Sequence, residues 1–137
     1  MKSNLDLYKI AEEKNIIVDT TKLPLNKSFS TRIRDKEFII MDKSVVTDSA
    51  DERVHLGHEL GHCATGAYYT IGADKIVRSK AEARANRWAI MHLIPKEEFE
   101  ELLRQGYQQW ELAEYYNVTE SFIKTAYHLY FEIEICA

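Results

Sequence analysis

At 137 residues, with 45% apolar and 29% charged side chains, the chain has material for one domain around one hydrophobic core. A formal net charge of −4, with the basic residues scattered among carboxylates, argues against a dedicated nucleic-acid binder. Two cysteines exclude a disulfide framework, and no apolar run approaches the roughly 18 residues of a membrane span.

Leu5, Tyr8, Ala11 and Glu12 recur at near-helical spacing and predict a first helix over 4–14. The β-branched run Ile16-Ile17-Val18 predicts a strand, and residues 19–29, with Pro24, a loop. Ser30 to Arg34 and Glu37 to Met41 flank Asp35-Lys36, which predicts a hairpin with Ile33, Phe38, Ile39 and Ile40 on its buried side. Ser49-Ala50-Asp51-Glu52 fits a capping box, in which hydroxyl and carboxylate satisfy free backbone N–H groups. A helix over 50–64 follows, with Gly66 as its stop and a connector over 65–78. Ser79-Lys80-Ala81-Glu82 has the form of a second capping box, opening a helix over 80–94 that Pro95 ends. Pro95 also opens a short helix over 96–104, closed by Gly106. Residues 108–116 and 119–131 predict two more helices around a break at Asn117.

The chemistry concentrates in His58-Glu59-Leu60-Gly61-His62. Four residues turn a helix by only about 40° beyond a full circle, so both imidazoles point the same way one turn apart. That suits two nitrogen ligands on one zinc ion, and Glu59, rotated by roughly 100°, lies where a base could act on water activated by the metal. Chance would produce about 0.02 such matches in a chain of this composition. Gly57 and Gly61 each cost about 1 kcal/mol in a helix interior, which points to another backbone or a substrate passing close by. A catalytic zinc needs a third protein ligand. Glu82 is the first choice, because Ala85 and Ala89 share its face and would let two helices approach closely. Capping its own helix is the competing role for Glu82, and Asp74 is the rival ligand.

These residues carry a resemblance. His58-Glu59-Leu60-Gly61-His62, then Glu82-Ala83-Arg84-Ala85-Asn86-Arg87-Trp88-Ala89, then Leu93-Ile94-Pro95, is similar to the ImmA/IrrE family of metallopeptidases. That family pairs a His-Glu-x-x-His helix with a Glu-x-x-Ala-Asn-x-aromatic-Ala helix that ends in an apolar-Pro step. The hairpin and Ile39-Ile40-Met41-Asp42 also resemble it, and the similarity covers roughly residues 30–130. The resemblance implies one zinc ion held by His58, His62 and Glu82 in a gluzincin-like arrangement, with Glu59 catalytic. It implies an α+β fold, a small N-terminal antiparallel sheet followed by a mostly helical zincin-like body, in one metallopeptidase domain over 1–137. It also implies a protein substrate, a repressor-type regulator of a phage or mobile element.

Other residues take lesser roles. His55 departs from the family pattern and reads as a rim residue. Cys63 is rotated off the histidine face and reads as a small buried side chain. Tyr68, Tyr69 and His92 are the candidates for donating to the oxyanion, and His128 reads as structural. Residues 110–123 have a helix-turn-helix rhythm, with Leu112, Ala113, Val118 and Ile123 packing the two helices together. Lys124 is the one Lys or Arg from Thr119 through Phe131, so packing or partner docking is expected there and direct DNA readout is not. The N-terminus shows no basic region followed by an apolar run, so no signal peptide is expected and the cytoplasm, with free thiols, is the expected location. The competing function is a zinc-containing regulatory module that docks a repressor or DNA without cutting. A metal-dependent hydrolase of small molecules is a third. Nothing in the residues names the oligomeric state.

Overall fold

Leu7 and Ala11, four residues apart and both buried, give the first helix one core-facing stripe: α1 (Leu5–Glu13) in a computed structural model that describes residues 2–24, 27–46 and 48–132. Asn15, at φ 57, is a residue that tolerates the left-handed region, and it turns the chain into β1 (Ile16–Thr20). β2 (Ser28–Ile33) and β3 (Lys36–Met41) form the expected hairpin, with Ile33 opposite Lys36. The turn therefore falls on Arg34-Asp35, one residue earlier than the sequence suggests, and Arg34 takes φ 60. β2 also begins earlier, at Ser28, inside the stretch expected to be loop.

The sheet is mixed, which corrects the expected antiparallel sheet. Its order is β1-β3-β2, with β2 antiparallel and β1 parallel to β3. β3 carries the most continuous apolar run, Phe38 to Met41, and takes the centre, where both its backbone edges are paired. Ile39 and Met41, two apart, are fully buried on one face, whereas Ile33, at the turn, is exposed rather than buried.

Two long helices follow, α2 (Ser49–Thr65) and α3 (Lys75–Leu93). Each is capped by an aspartate just ahead of it: Asp48 accepts from the Asp51 N–H, and Asp74 from the Val77 N–H. α3 therefore starts five residues before the expected position 80. Neither serine box is used. Ser49 instead takes a hydrogen bond of 2.7 Å from Asn117, which also reaches the Lys2 carbonyl. α4 (Lys96–Arg104), α5 (Gln109–Tyr116) and α6 (Glu120–Phe131) complete the body. Leu112, Ala113, Val118 and Ile123 are buried between α5 and α6, as their spacing predicts, and Asn117 breaks the two helices at φ 54. Phe99 and Tyr116 are the largest fully buried side chains, and Phe131 stacks on Phe99 at 5.9 Å. Cys63 is buried, and Cys136 lies outside the described residues. Among the described residues no helix is long and apolar enough to cross a membrane.

One charge is buried where α1 meets α2. Arg53 is 2% exposed and donates to both Asp6 carboxylate oxygens, at 2.8 and 3.0 Å, and to the Ser3 carbonyl. The Arg53 hydrogen bonds hold the Asp6 carboxyl below the usual value of 3.8. A folded value below the unfolded one means stability that is present above pH 3.8 and drains away as pH falls through the lower, folded value. Asp6→Asn is expected to cost about 1 kcal/mol at neutral pH, a small figure because Asp6 is half exposed. Urea unfolding should show that gap narrowing as pH drops below 3.8, and a gap constant down to pH 2 would overturn the assignment.

Candidate metal centre

The helical period sets the first two groups. His58 and His62 stand one turn apart on α2, with ring centroids 4.7 Å apart and planes at 86°. Their Nε2 atoms face each other at 3.1 Å. The far ring nitrogens are both engaged: Nδ1 of His58 donates to Asn86 Oδ1 and Nδ1 of His62 to the Ala67 carbonyl, each at 2.7 Å. With Nδ1 of each ring engaged outward, both Nε2 atoms turn toward one point, the outer-sphere arrangement usual for metal-binding histidines. Gly66, in the left-handed region at φ 65, closes α2 and folds the chain back so that the Ala67 carbonyl reaches His62.

The third group arrives through helix packing. Gly57 and Gly61 face Leu93, Ala89 and Ala85 of α3, and a Cβ built on Gly61 would lie within 3.0 Å of Ala85 backbone atoms. At that approach Glu82 extends over the histidines, its Oε2 at 2.6 Å from His58 Nε2 and its Oε1 at 3.3 Å from His62 Nε2. The donor atoms of His58, His62 and Glu82 all lie within 4.8 Å of one another. Two ligands at 2.0–2.1 Å in a tetrahedron stand about 3.3 Å apart, and the 3.1 Å between the imidazoles is close to the spacing that two nitrogen ligands of one metal ion require. The electrostatics agree. Burial pushes both imidazoles down, but hydrogen bonding to Glu82 more than reverses this and leaves both above the ordinary range. The His58 and His62 bonds in turn hold the Glu82 carboxyl far below its usual range. The cluster thus favours positive charge among its members.

The other candidates fall outside this cluster. Asp74 is occupied as the cap of α3, and His55 sits with Nδ1 3.1 Å from Ser28 Oγ. Glu59 is 5% exposed, lines the cleft, and accepts a 2.7 Å hydrogen bond from the Ser28 hydroxyl. That cleft encloses about 680 Å³ between β2, α2 and the connector before α3, with Lys27 to Thr31, Tyr69 and Ile71 on its walls.

Of the three candidate oxyanion donors, Tyr69 alone has its hydroxyl on the cluster, 2.7 Å from Glu82 Oε1. The Glu82 bond pushes the Tyr69 phenol up to about 12, so it stays a donor at neutral pH. Tyr68 donates instead to Glu37, beneath the Arg32 guanidinium, and His92 stacks on Trp88 at 3.9 Å. Burial raises the Cys63 thiol to about 11, consistent with a small core side chain rather than a nucleophile.

Three groups escape a reading of the sequence alone: Ser28, Asn86 and the Ala67 carbonyl. Asn86 was open to inference, since it stands four residues after Glu82 and so shares its helix face. Ser28 carries no local signal at all.

A family model described as Peptidase_M78, IrrE N-terminal-like domain, matches residues 11–127. Among curated proteins none matches the chain.

Proposed function

The chain belongs to the Peptidase_M78 family of IrrE N-terminal-like domains, and from that premise we propose that it cleaves peptide bonds in a protein partner, using one zinc ion held by His58, His62 and Glu82. The observation that carries this reading is the convergence of those three donors beside a cleft that Glu59 also lines. Among the described residues the cluster has three metal-ligand side chains, where a closed structural zinc site would need four. Zinc in that position supplies a Lewis acid, which polarises a carbonyl and brings the pKa of water from about 15.7 to about 7.

The chain's own groups do the rest. Glu59 takes a proton from water as the oxygen attacks the peptide carbon, and returns it to the nitrogen as the C–N bond breaks. The Tyr69 hydroxyl, already at the cluster, donates to the carbonyl oxygen as negative charge develops there. Asn86 and the Ala67 carbonyl keep the imidazoles aimed inward.

The substrate reading goes a step further. Resemblance to ImmA/IrrE proteins of phages and mobile elements makes a repressor-type regulator the first substrate to try. The acidic balance, and Lys124 as the one Lys or Arg of α6, favour a protein over a nucleic acid. With two cysteines in the sequence and Cys63 buried, we place the reaction in the cytoplasm.

Metal analysis tests the ligand set. His62→Ala and Glu82→Ala are each expected to weaken zinc binding by more than the roughly 10- to 100-fold that loss of a supporting hydrogen bond costs. Full zinc occupancy in the Glu82 variant would remove Glu82 from the site and reopen Asp74 and His55.

A further inference from the structure

We infer that Ser28 is a positioning residue for Glu59: its hydroxyl fixes one carboxylate oxygen, and His55 fixes the direction of the Ser28 proton. The inference rests on the peptidase reading above for its consequence, though not for its geometry. A buried carboxylate needs a hydrogen-bond donor. Glu59 is 5% exposed, and among the described residues its donor is the Ser28 hydroxyl, 2.7 Å from Oε2. A carboxylate only accepts, so the Ser28 proton points at Glu59. That leaves Ser28 with lone pairs toward His55, and Nδ1 of His55, 3.1 Å away, must carry the hydrogen and donate. The donation therefore runs from His55 to Ser28 to Glu59.

The topology supports the role. His55 and Glu59 are four residues apart on α2 and share the face that meets β2. Ser28 is the first residue of β2, a strand at the edge of the sheet that lines the cleft. The wall of the cleft and the base are thus joined through one hydroxyl. Asp51, His55 and Ser28 also have the composition of a nucleophilic triad, but the direction of donation rules that use out. The Ser28 proton is given to Glu59 rather than to His55, and Asp51 Oδ1 stands 3.5 Å from His55 Nε2, longer than a firm hydrogen bond.

Loss of a hydrogen bond to a charged group corresponds to about 10- to 100-fold. Ser28→Ala is expected to lower kcat by that factor on a cleaved protein substrate, with KM and zinc content unchanged. Ser28→Thr, which keeps the hydroxyl and suits a strand, should restore kcat to within a few-fold. An unchanged kcat in Ser28→Ala, or a loss that tracks lost zinc, would overturn the inference. A second readout needs no activity: urea unfolding of the metal-free protein in a double-mutant cycle of Ser28→Ala and Glu59→Ala. The two changes should be coupled by about 10-fold in the unfolding constant, and additive effects would show that Ser28 does not hold Glu59. If the zinc-loaded wild type cuts nothing, the peptidase reading fails by itself, and the cycle still decides whether the clamp exists.

Discussion

Glu59→Gln is expected to slow peptide-bond cleavage by about 1,000-fold while leaving zinc content unchanged. General base catalysis contributes about 100- to 10,000-fold, and in the proposed mechanism one group takes up and returns the proton. The substitution is nearly isosteric. Its amide oxygen can still accept from Ser28, so the buried slot beside α2 stays filled and the fold is spared. What is lost is the capacity to hold a proton. Because Glu59 is outside the His58, His62 and Glu82 cluster, the metal should stay. The measurement is a cleavage time course read by mass spectrometry, on a candidate repressor, beside zinc analysis of the same samples. It also separates the two classes of function. A docking module would relieve the repressor equally well with either residue at position 59, and equal release without a cut would end the peptidase reading.

Gly61→Ala is expected to destabilise the chain by about 2 kcal/mol and to strip most of the zinc. Overpacking a core costs about 1–3 kcal/mol, and the gain of about 1 kcal/mol in helix propensity offsets part of it. The upper end applies because the obstacle is rigid. A Cβ on Gly61 meets the carbonyl oxygen, carbonyl carbon and Cα of Ala85, which cannot move without moving α3. Glu82 is three residues before Ala85 on that helix, so any retreat of α3 carries the carboxylate away from the histidines. Gly57→Ala is the control. Its added Cβ would sit 2.8 Å from Leu93 Cδ1, the end of a flexible side chain, and it should cost about 1 kcal/mol or less with zinc retained. Urea unfolding and metal analysis of the two variants check both outcomes. A Gly61→Ala protein with wild-type stability and full zinc would mean that close helix contact does not set the site.

The sequence by itself determined the parts of this protein that depend on neighbours a few residues apart. His58 and His62 share a face because the helix repeats every 3.6 residues, and that holds wherever the helix lies. Gly66 and Pro95 end helices through their own backbone chemistry, and Leu112, Ala113, Val118 and Ile123 pair two helices by their spacing. Even the closeness of α2 and α3 was signalled, because glycines inside a helix leave room for a second backbone. Tertiary structure decided everything that depends on where separate elements meet. The choice between Glu82 and Asp74 was open in sequence, since Glu82 could equally cap its own helix and Asp74 lay in a connector of unknown course. In the packed chain α3 begins early enough to make Asp74 a cap, and Glu82 is the acid that stands over the histidines. The parallel pairing of β1 and the position of the Tyr69 hydroxyl on Glu82, with Tyr68 and His92 turned elsewhere, follow from packing between separate elements. So does the reach of Ser28 to Glu59, 31 residues on. Local periodicity can say which face a side chain shares, but only the packed chain says what stands opposite it.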